Sequence, residues 1–221
     1  MDLMEAMSAR HSVRQYQDIP LPEELCSALR DEIALCNQES GLHIQLVTHE
    51  PKAFDSFMAH YGKFSGVTNY IAMVGKQGAD LDEKCGYYGE RLVLKAQQLG
   101  LNTCWVAMTY RKIKSAFTVN SGEKLCIVIA LGYGQTQGIP HKSKSVEQVS
   151  RADGPMPDWF RSGVAAALLA PTAMNQQKLC FRLSGSQVSA TAGMGFYSKI
   201  DLGIAKYHFE LGAGKDRFAW A

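Results

Sequence analysis

The chain of 221 residues contains no run of lysine or arginine, no arginine-rich helical pattern and no apolar stretch near the roughly twenty residues that a membrane span requires. Nucleic acid and membrane are therefore set aside as partners. Residues 1–20 lack the apolar core of a signal peptide, and the expected location is the cytoplasm. No Cys-x-x-Cys pair occurs among Cys26, Cys36, Cys85, Cys104, Cys126 and Cys180, which read as reduced residues on apolar faces. The six histidines are scattered without metal-ligand spacing, so no metal site is expected, and His208 beside Tyr207 reads as structural. The net charge of +2 points to no special partner. What is present is 46% hydrophobic and 20% charged residues, enough to bury a sizeable core shared by two small halves.

Two short motifs carry chemistry. In Arg10-His11-Ser12-Val13-Arg14-Gln15-Tyr16 an extended backbone would put Arg10, Ser12 and Arg14 on one face, offering two guanidinium forks and a hydroxyl to a single anion such as a phosphate. Alone, the pattern also fits a solvated surface strand. Far down the chain stands Ala170-Pro171-Thr172-Ala173-Met174-Asn175-Gln176-Gln177. There Pro171-Thr172 can equally end one helix and open a turn, with Asn175 as a turn residue.

An internal repeat ties the two motifs together. Laid without a gap, 21–48 over 156–183 pairs Pro22 with Pro157, Glu23 with Asp158, Leu25 with Phe160, Leu29 with Val164, Ile33 with Leu168, Ile44 with Leu179 and Leu46 with Phe181. Each copy reads as a helix behind a proline, leading into a strand. A weaker echo relates Tyr88, Leu92, Val93, Ala96 and Leu99 before Gly100 to Ile200, Ile204, Tyr207 and Leu211 before Gly212, both buried amphipathic helices. The copies have diverged in complementary ways. Copy one has Cys36-Asn37-Gln38-Glu39-Ser40 where copy two has the proline and asparagine, and copy two is preceded by Val149-Ser150-Arg151-Ala152-Asp153-Gly154 rather than by Arg-x-Ser-x-Arg.

Arg10-x-Ser12-x-Arg14 resembles the opening motif of the FMN-dependent nitroreductase family. Pro171-Thr172-x-x-Asn175-x-Gln177 resembles that family's Pro-Ser-x-x-Asn-x-Gln-Pro segment, which ordinarily follows the first motif closely. The chain looks closest to single-chain, duplicated members, whose segments matching Ala170–Gln177 and Asp201-Leu202-Gly203-Ile204-Ala205 read much as they do here. The resemblance implies an α+β nitroreductase-like fold: a mainly antiparallel sheet flanked by helices, duplicated into a pseudo-dimer. The first half would be 1–140, on the phosphate side, and the second and shorter half 141–221. In the family FMN lies between two subunits, so the split signature implies one complete flavin site in one chain, possible as a monomer.

The same resemblance implies the site residues. Arg10, His11, Ser12 and Arg14 would take the FMN phosphate and the pyrimidine edge of the ring, with Arg14 beside N1. Trp105, Val106, Ala107 and Met108 match the loop whose backbone donates to flavin N5, although Ala107-Met108 stands where several members have glycine. Lys142 and Lys144 match a basic pair that closes over the phosphate, and Pro171, Thr172 and Asn175 would hold the ring from the other half. No catalytic side chain is implied, because bound FMN and a co-substrate NADH or NADPH supply the redox chemistry. The acceptor would be a small nitroaromatic, quinone or enone. Two other readings stay open: a non-catalytic flavin-binding or storage protein, and a vestigial fold with neither flavin nor activity.

Along the chain, 1–9 and 21–36 read as helices and 10–20 as extended. Leu42-x-Ile44-x-Leu46, Tyr70–Val74, Leu125–Leu131 and the alternation from Val188 to Met194 read as strands. Gln135–Pro157, polar and containing Gly138, Pro140, Gly154 and Pro155, reads as a linker.

Overall fold

The computed structural model describes residues 1–221. In chain order the helices are α1 (Leu3–Ala9), α2 (Glu23–Ser40), α3 (Phe57–Tyr61), α4 (Leu81–Gln98), α5 (Val146–Val149), α6 (Asp158–Ala167) and α7 (Ser198–Ala213). The strands are β1 (Gln45–Val47), β2 (Asn69–Lys76), β3 (Asn102–Val106), β4 (Glu123–Gly132), β5 (Ser150–Ala152), β6 (Leu179–Ser184), β7 (Gln187–Ala192) and β8 (Ala219–Trp220). The chain divides into two compact units. The first comprises Ala9–Leu81 and Arg91–Pro140; the second comprises Met1–Ser8, Asp82–Glu90 and His141–Ala221. Two short segments from the first 140 residues thus cluster with the carboxyl-terminal part.

The first unit is built on an antiparallel sheet in the order β1-β2-β4-β3. β2 is buried at every position from Asn69 to Gly75, as expected of a central strand covered on both faces. Val13 and Tyr16 from the extended amino-terminal segment join Phe54, Phe64, Tyr70, Val106 and Val128 in one apolar cluster. The backbone of that segment is therefore anchored by the core.

In the second unit the sheet order is β5-β6-β7-β8. Only the central β6-β7 hairpin is antiparallel, while β5 and β8 add parallel to its edges. A parallel β5-β6 pair needs a crossover between its strands, and α6 supplies it. Behind the sheet Phe181 stacks on Phe209 of α7 with ring centroids 5.0 Å apart, and Phe160 of α6 meets Phe209 edge-on at 5.7 Å. The whole is the α+β architecture expected from the sequence, with antiparallel pairs predominating.

The repeat is visible element by element. α2 begins at Glu23 and α6 at Asp158, aligned positions, each behind a proline with extended backbone. The copies then part company. α2 runs beyond the expected 36 to Ser40 and closes on Gly41 in the left-handed region at φ 70°, whereas α6 stops at Ala167. The cause lies in one aligned pair: Pro171 occupies the register of Cys36. Proline has no N–H to give and disfavours helix at the residue before it, so copy two must leave the helix where copy one continues.

The expected linker is also structured in part. Val146–Val149 is a helical turn and Ser150–Ala152 an edge strand paired with Phe181–Leu183. A capping box between Ser145 and Gln148 starts that turn, a Ser-x-x-Gln signal that the linker reading did not use.

Within the second unit, α4 and α7 cross at two glycines. A Cβ on Gly86 would lie 2.1 Å from the carbonyl oxygen of Ile200, and one on Gly203 would lie 2.0 Å from that of Glu83. The contact is reciprocal, since 83 stands to 200 as 86 stands to 203, the pattern of a two-fold related pair. The weaker echo that aligned Tyr88 with Ile200 therefore reflects a shared helical period and not the register of the crossing. Gly203→Ala should cost about 3 kcal/mol or more by forcing the two backbones apart. A urea midpoint within error of wild type would show that the crossing is looser than this.

Candidate functional site

The segment carrying Arg10, Ser12 and Arg14 is held on both sides by backbone bonds. Val13 N–H donates to Thr103 O at 3.0 Å, Tyr16 N–H to Ser65 O at 2.9 Å and Gln17 N–H to Tyr133 O at 2.8 Å, while Arg14 O accepts from Ser65 N–H at 3.1 Å. Gly138, at φ 73°, approaches so closely that a Cβ there would meet the Cβ of His11 at 2.7 Å. Groups from the motif act together on one thiol. Burial pushes the Cys104 pKa up, while the charge of Arg14, a hydrogen bond from Ser12 and the charge of Arg10 pull it down. Arg10 is only 3% exposed, and the Arg14 guanidinium sits 5.9 Å above the Phe64 ring. Two cations and a hydroxyl on one rigid segment are the donor set a phosphate needs.

Trp105 and Val106 end β3, opposite Ile129 and Val128 of β4. Val106 is buried, Trp105 and Ala107 are half-buried, and Met108 is 66% exposed in the bend that follows. All eight of these expected residues belong to the first unit.

The remaining five belong to the second. Lys142 and Lys144 are exposed, and their segment is stitched to the turn that follows Pro171. Lys142 O accepts from Asn175 Nδ2 at 2.9 Å and from Gln177 Nε2 at 2.7 Å. The Lys144 ammonium donates to Gln177 O at 2.7 Å, and Lys144 N–H donates to Gln177 Oε1 at 2.9 Å. Asn175 Oδ1 in turn accepts from Gln177 Nε2 at 2.7 Å. Gln177, 3% exposed, is the hub of this network, a role not legible in the motif that contains it.

The turn is strained. Met174, Asn175 and Gln177 all have positive φ, at 51°, 53° and 43°. Non-glycine residues in that region cost on the order of 1 kcal/mol each and persist only where surrounding contacts over-determine them. One such contact was missed by sequence reasoning. Asp201, in the first turn of α7 and 4% exposed, accepts from Ala173 N–H at 2.9 Å and from Gln176 Nε2 at 2.7 Å. Burial pushes its pKa up to about 6 against the downward pull of those two bonds. A cleft of about 310 Å³ lined by Ala152, Asp153, Pro155 and Leu183 includes none of the expected site residues.

The family model described as "Putative TM nitroreductase" matches residues 2–213. The chain belongs to this nitroreductase family. Among solved nitroreductase structures, a "putative nitroreductase" from Thermotoga maritima is similar over 98% of this chain and 85% of its own, at 22% identity and a TM-score of 0.67. A "putative nitroreductase in complex with FMN" from Desulfovibrio desulfuricans, 16% identical with a TM-score of 0.54, is covered over 99% of its length by 71% of this chain. A "putative NADH dehydrogenase/NAD(P)H nitroreductase" from Parabacteroides distasonis, 22% identical with a TM-score of 0.54, is covered over 98% by 69%. No curated protein matches the chain. No helix is long and apolar enough to cross a membrane.

Proposed function

We propose that this chain is an FMN-dependent oxidoreductase of nitroreductase type, taking hydride from NADH or NADPH and passing electrons to a small nitroaromatic, quinone or enone. The observation that carries the reading is that Arg10, Ser12 and Arg14 stand on one segment anchored by the core, with the charge of both arginines and the Ser12 hydroxyl acting on the same thiol, Cys104. FMN, when bound, supplies reversible two-electron chemistry at its ring. Arg10 and Ser12 would bind the phosphate by charge-assisted hydrogen bonds. Arg14 would lend positive charge to the flavin. Lys142 and Lys144 would add charge for the phosphate, Trp105–Met108 would offer backbone donors, and Pro171, Thr172 and Asn175 would hold the flavin from the second half. No side chain has to move a proton. The proposal extends to a cytoplasmic chain that works as a monomer with one flavin bound.

A second reading, a flavin-binding protein without turnover, is favoured by Met108, whose long side chain stands in the loop where smaller residues would leave the ring open. One experiment separates them. Purified protein reconstituted with FMN should show a flavin absorbance band at one per chain, bleached by NADH or NADPH under anaerobic conditions and restored by a quinone. A band that NADH and NADPH leave unchanged would favour the binding protein, and absence of flavin binding would overturn both.

A further inference from the structure

We propose that Asp201 is a positioning residue for the flavin: its ionised carboxylate clamps the turn Thr172–Gln177 in its left-handed conformation and so sets Thr172 and Asn175 for the ring. This rests on the function proposed above. Asp201 is buried on α7 and touches the turn at both ends, through the Ala173 N–H and the Gln176 side chain. Gln176 cannot simply reverse its amide to suit a protonated partner, because the same Nε2 also donates to Phe196 O at 2.9 Å. With two donors and no hydrogen of its own, the charged carboxylate satisfies both; a protonated one presents an O–H to one of them and loses that bond. Three residues of positive φ are then left with half of their clamp.

The clamp is therefore a proton-sensitive one. Burial, the Gln176 bond and the Ala173 bond are the causes acting on the Asp201 carboxyl. The charged and titratable residues on the elements around it are Lys199, Lys206, His208 and Glu210 on α7, Asp82, Glu83, Lys84, Glu90, Arg91 and Lys95 on α4, and Lys144 and Lys178 beside the turn, and none is among those causes. Because its folded pKa, about 6, lies above the ordinary 3.8, the stability it contributes is full below pH 3.8 and is lost as pH rises through 6. The charged clamp thus orders the turn at a cost to global stability.

Asp201→Asn, which imitates the neutral acid, is the test. At pH 7.5 the variant should be at least as stable to heat as wild type, yet bind FMN roughly tenfold more weakly, the loss expected for one hydrogen bond to a charged group. Wild type should weaken toward the variant as pH falls from 7.5 to 5, so that the ratio of the two affinities approaches one. The FMN phosphate itself titrates near pH 6, but it does so for both proteins and cancels in that ratio. In flavin-free protein the Ala173 amide should exchange with solvent roughly tenfold faster in the variant at one pH. Equal FMN affinities at pH 7.5, or a ratio independent of pH, would overturn the positioning role. Unchanged exchange would overturn the clamp itself. If wild type takes up no FMN, the proposed function fails, and the exchange comparison still decides whether Asp201 holds the turn.

Discussion

His208→Leu and Glu90→Leu should each destabilise the protein by about 3 to 5 kcal/mol, among the largest effects available to a single substitution in this chain. Both side chains are 0% exposed, with His208 Nε2 2.9 Å from Glu90 Oε1. His208 Nδ1 lies 3.1 Å from the carbonyl of Ala166, which can only accept, so that nitrogen carries a proton and fixes the ring. Removing either partner leaves the other a polar group buried away from water with one bond fewer. The double variant Glu90→Leu/His208→Leu should recover most of the loss, because the desolvation cost of the pair disappears with it. Urea unfolding of the four proteins measures the coupling. Single losses below about 1 kcal/mol, or a double loss equal to the sum of the singles, would show that the two residues do not act as a unit.

Arg10→Ala should raise the Kd for FMN by about one to two orders of magnitude, the effect of losing charge-assisted bonds of roughly 1.5 to 3 kcal/mol to the phosphate. The side chain is buried, so the substitution also leaves a cavity and lowers stability. Arg10→Lys keeps the charge without the planar fork and should recover part of the affinity, which separates binding from packing. Titration with FMN, followed by quenching of flavin fluorescence, gives both constants. An Arg10→Ala protein that is folded and binds FMN as wild type does would remove this residue from the cofactor site.

How much of this was legible beforehand depended on the range of the interaction responsible. Pro22 and Pro157 mark helix starts in the sequence, and α2 and α6 begin at the next residue in each case. The alternation of Arg10, Ser12 and Arg14 was readable because it is local, and the backbone indeed runs extended there, bridged at Ser12 to Thr103. The capping box Ser145-x-x-Gln148 is equally local, yet it was passed over in a segment read as linker from its polarity, glycines and prolines. By contrast, nothing near Asp201 announces the turn that it clamps. Gln177 stood in a motif, yet its bonds to Lys142 and Lys144 cross a stretch of chain that no periodicity connects.

The sequence by itself determined the class of the elements, the duplication and the two chemical signatures, since helical and strand periods, proline breaks and aligned copies are properties of neighbouring residues. Tertiary structure alone decided which groups meet. It brought the Cys104 thiol under the charge of Arg10 and Arg14 and a hydrogen bond from Ser12, set Gly86 and Gly203 against opposing carbonyls and buried Glu90 with His208. It also moved the Asp201 carboxyl up to about 6. Burial and close approach are created by packing residues distant in the chain, and desolvation, which sets the state of these groups, exists only once that packing has excluded water.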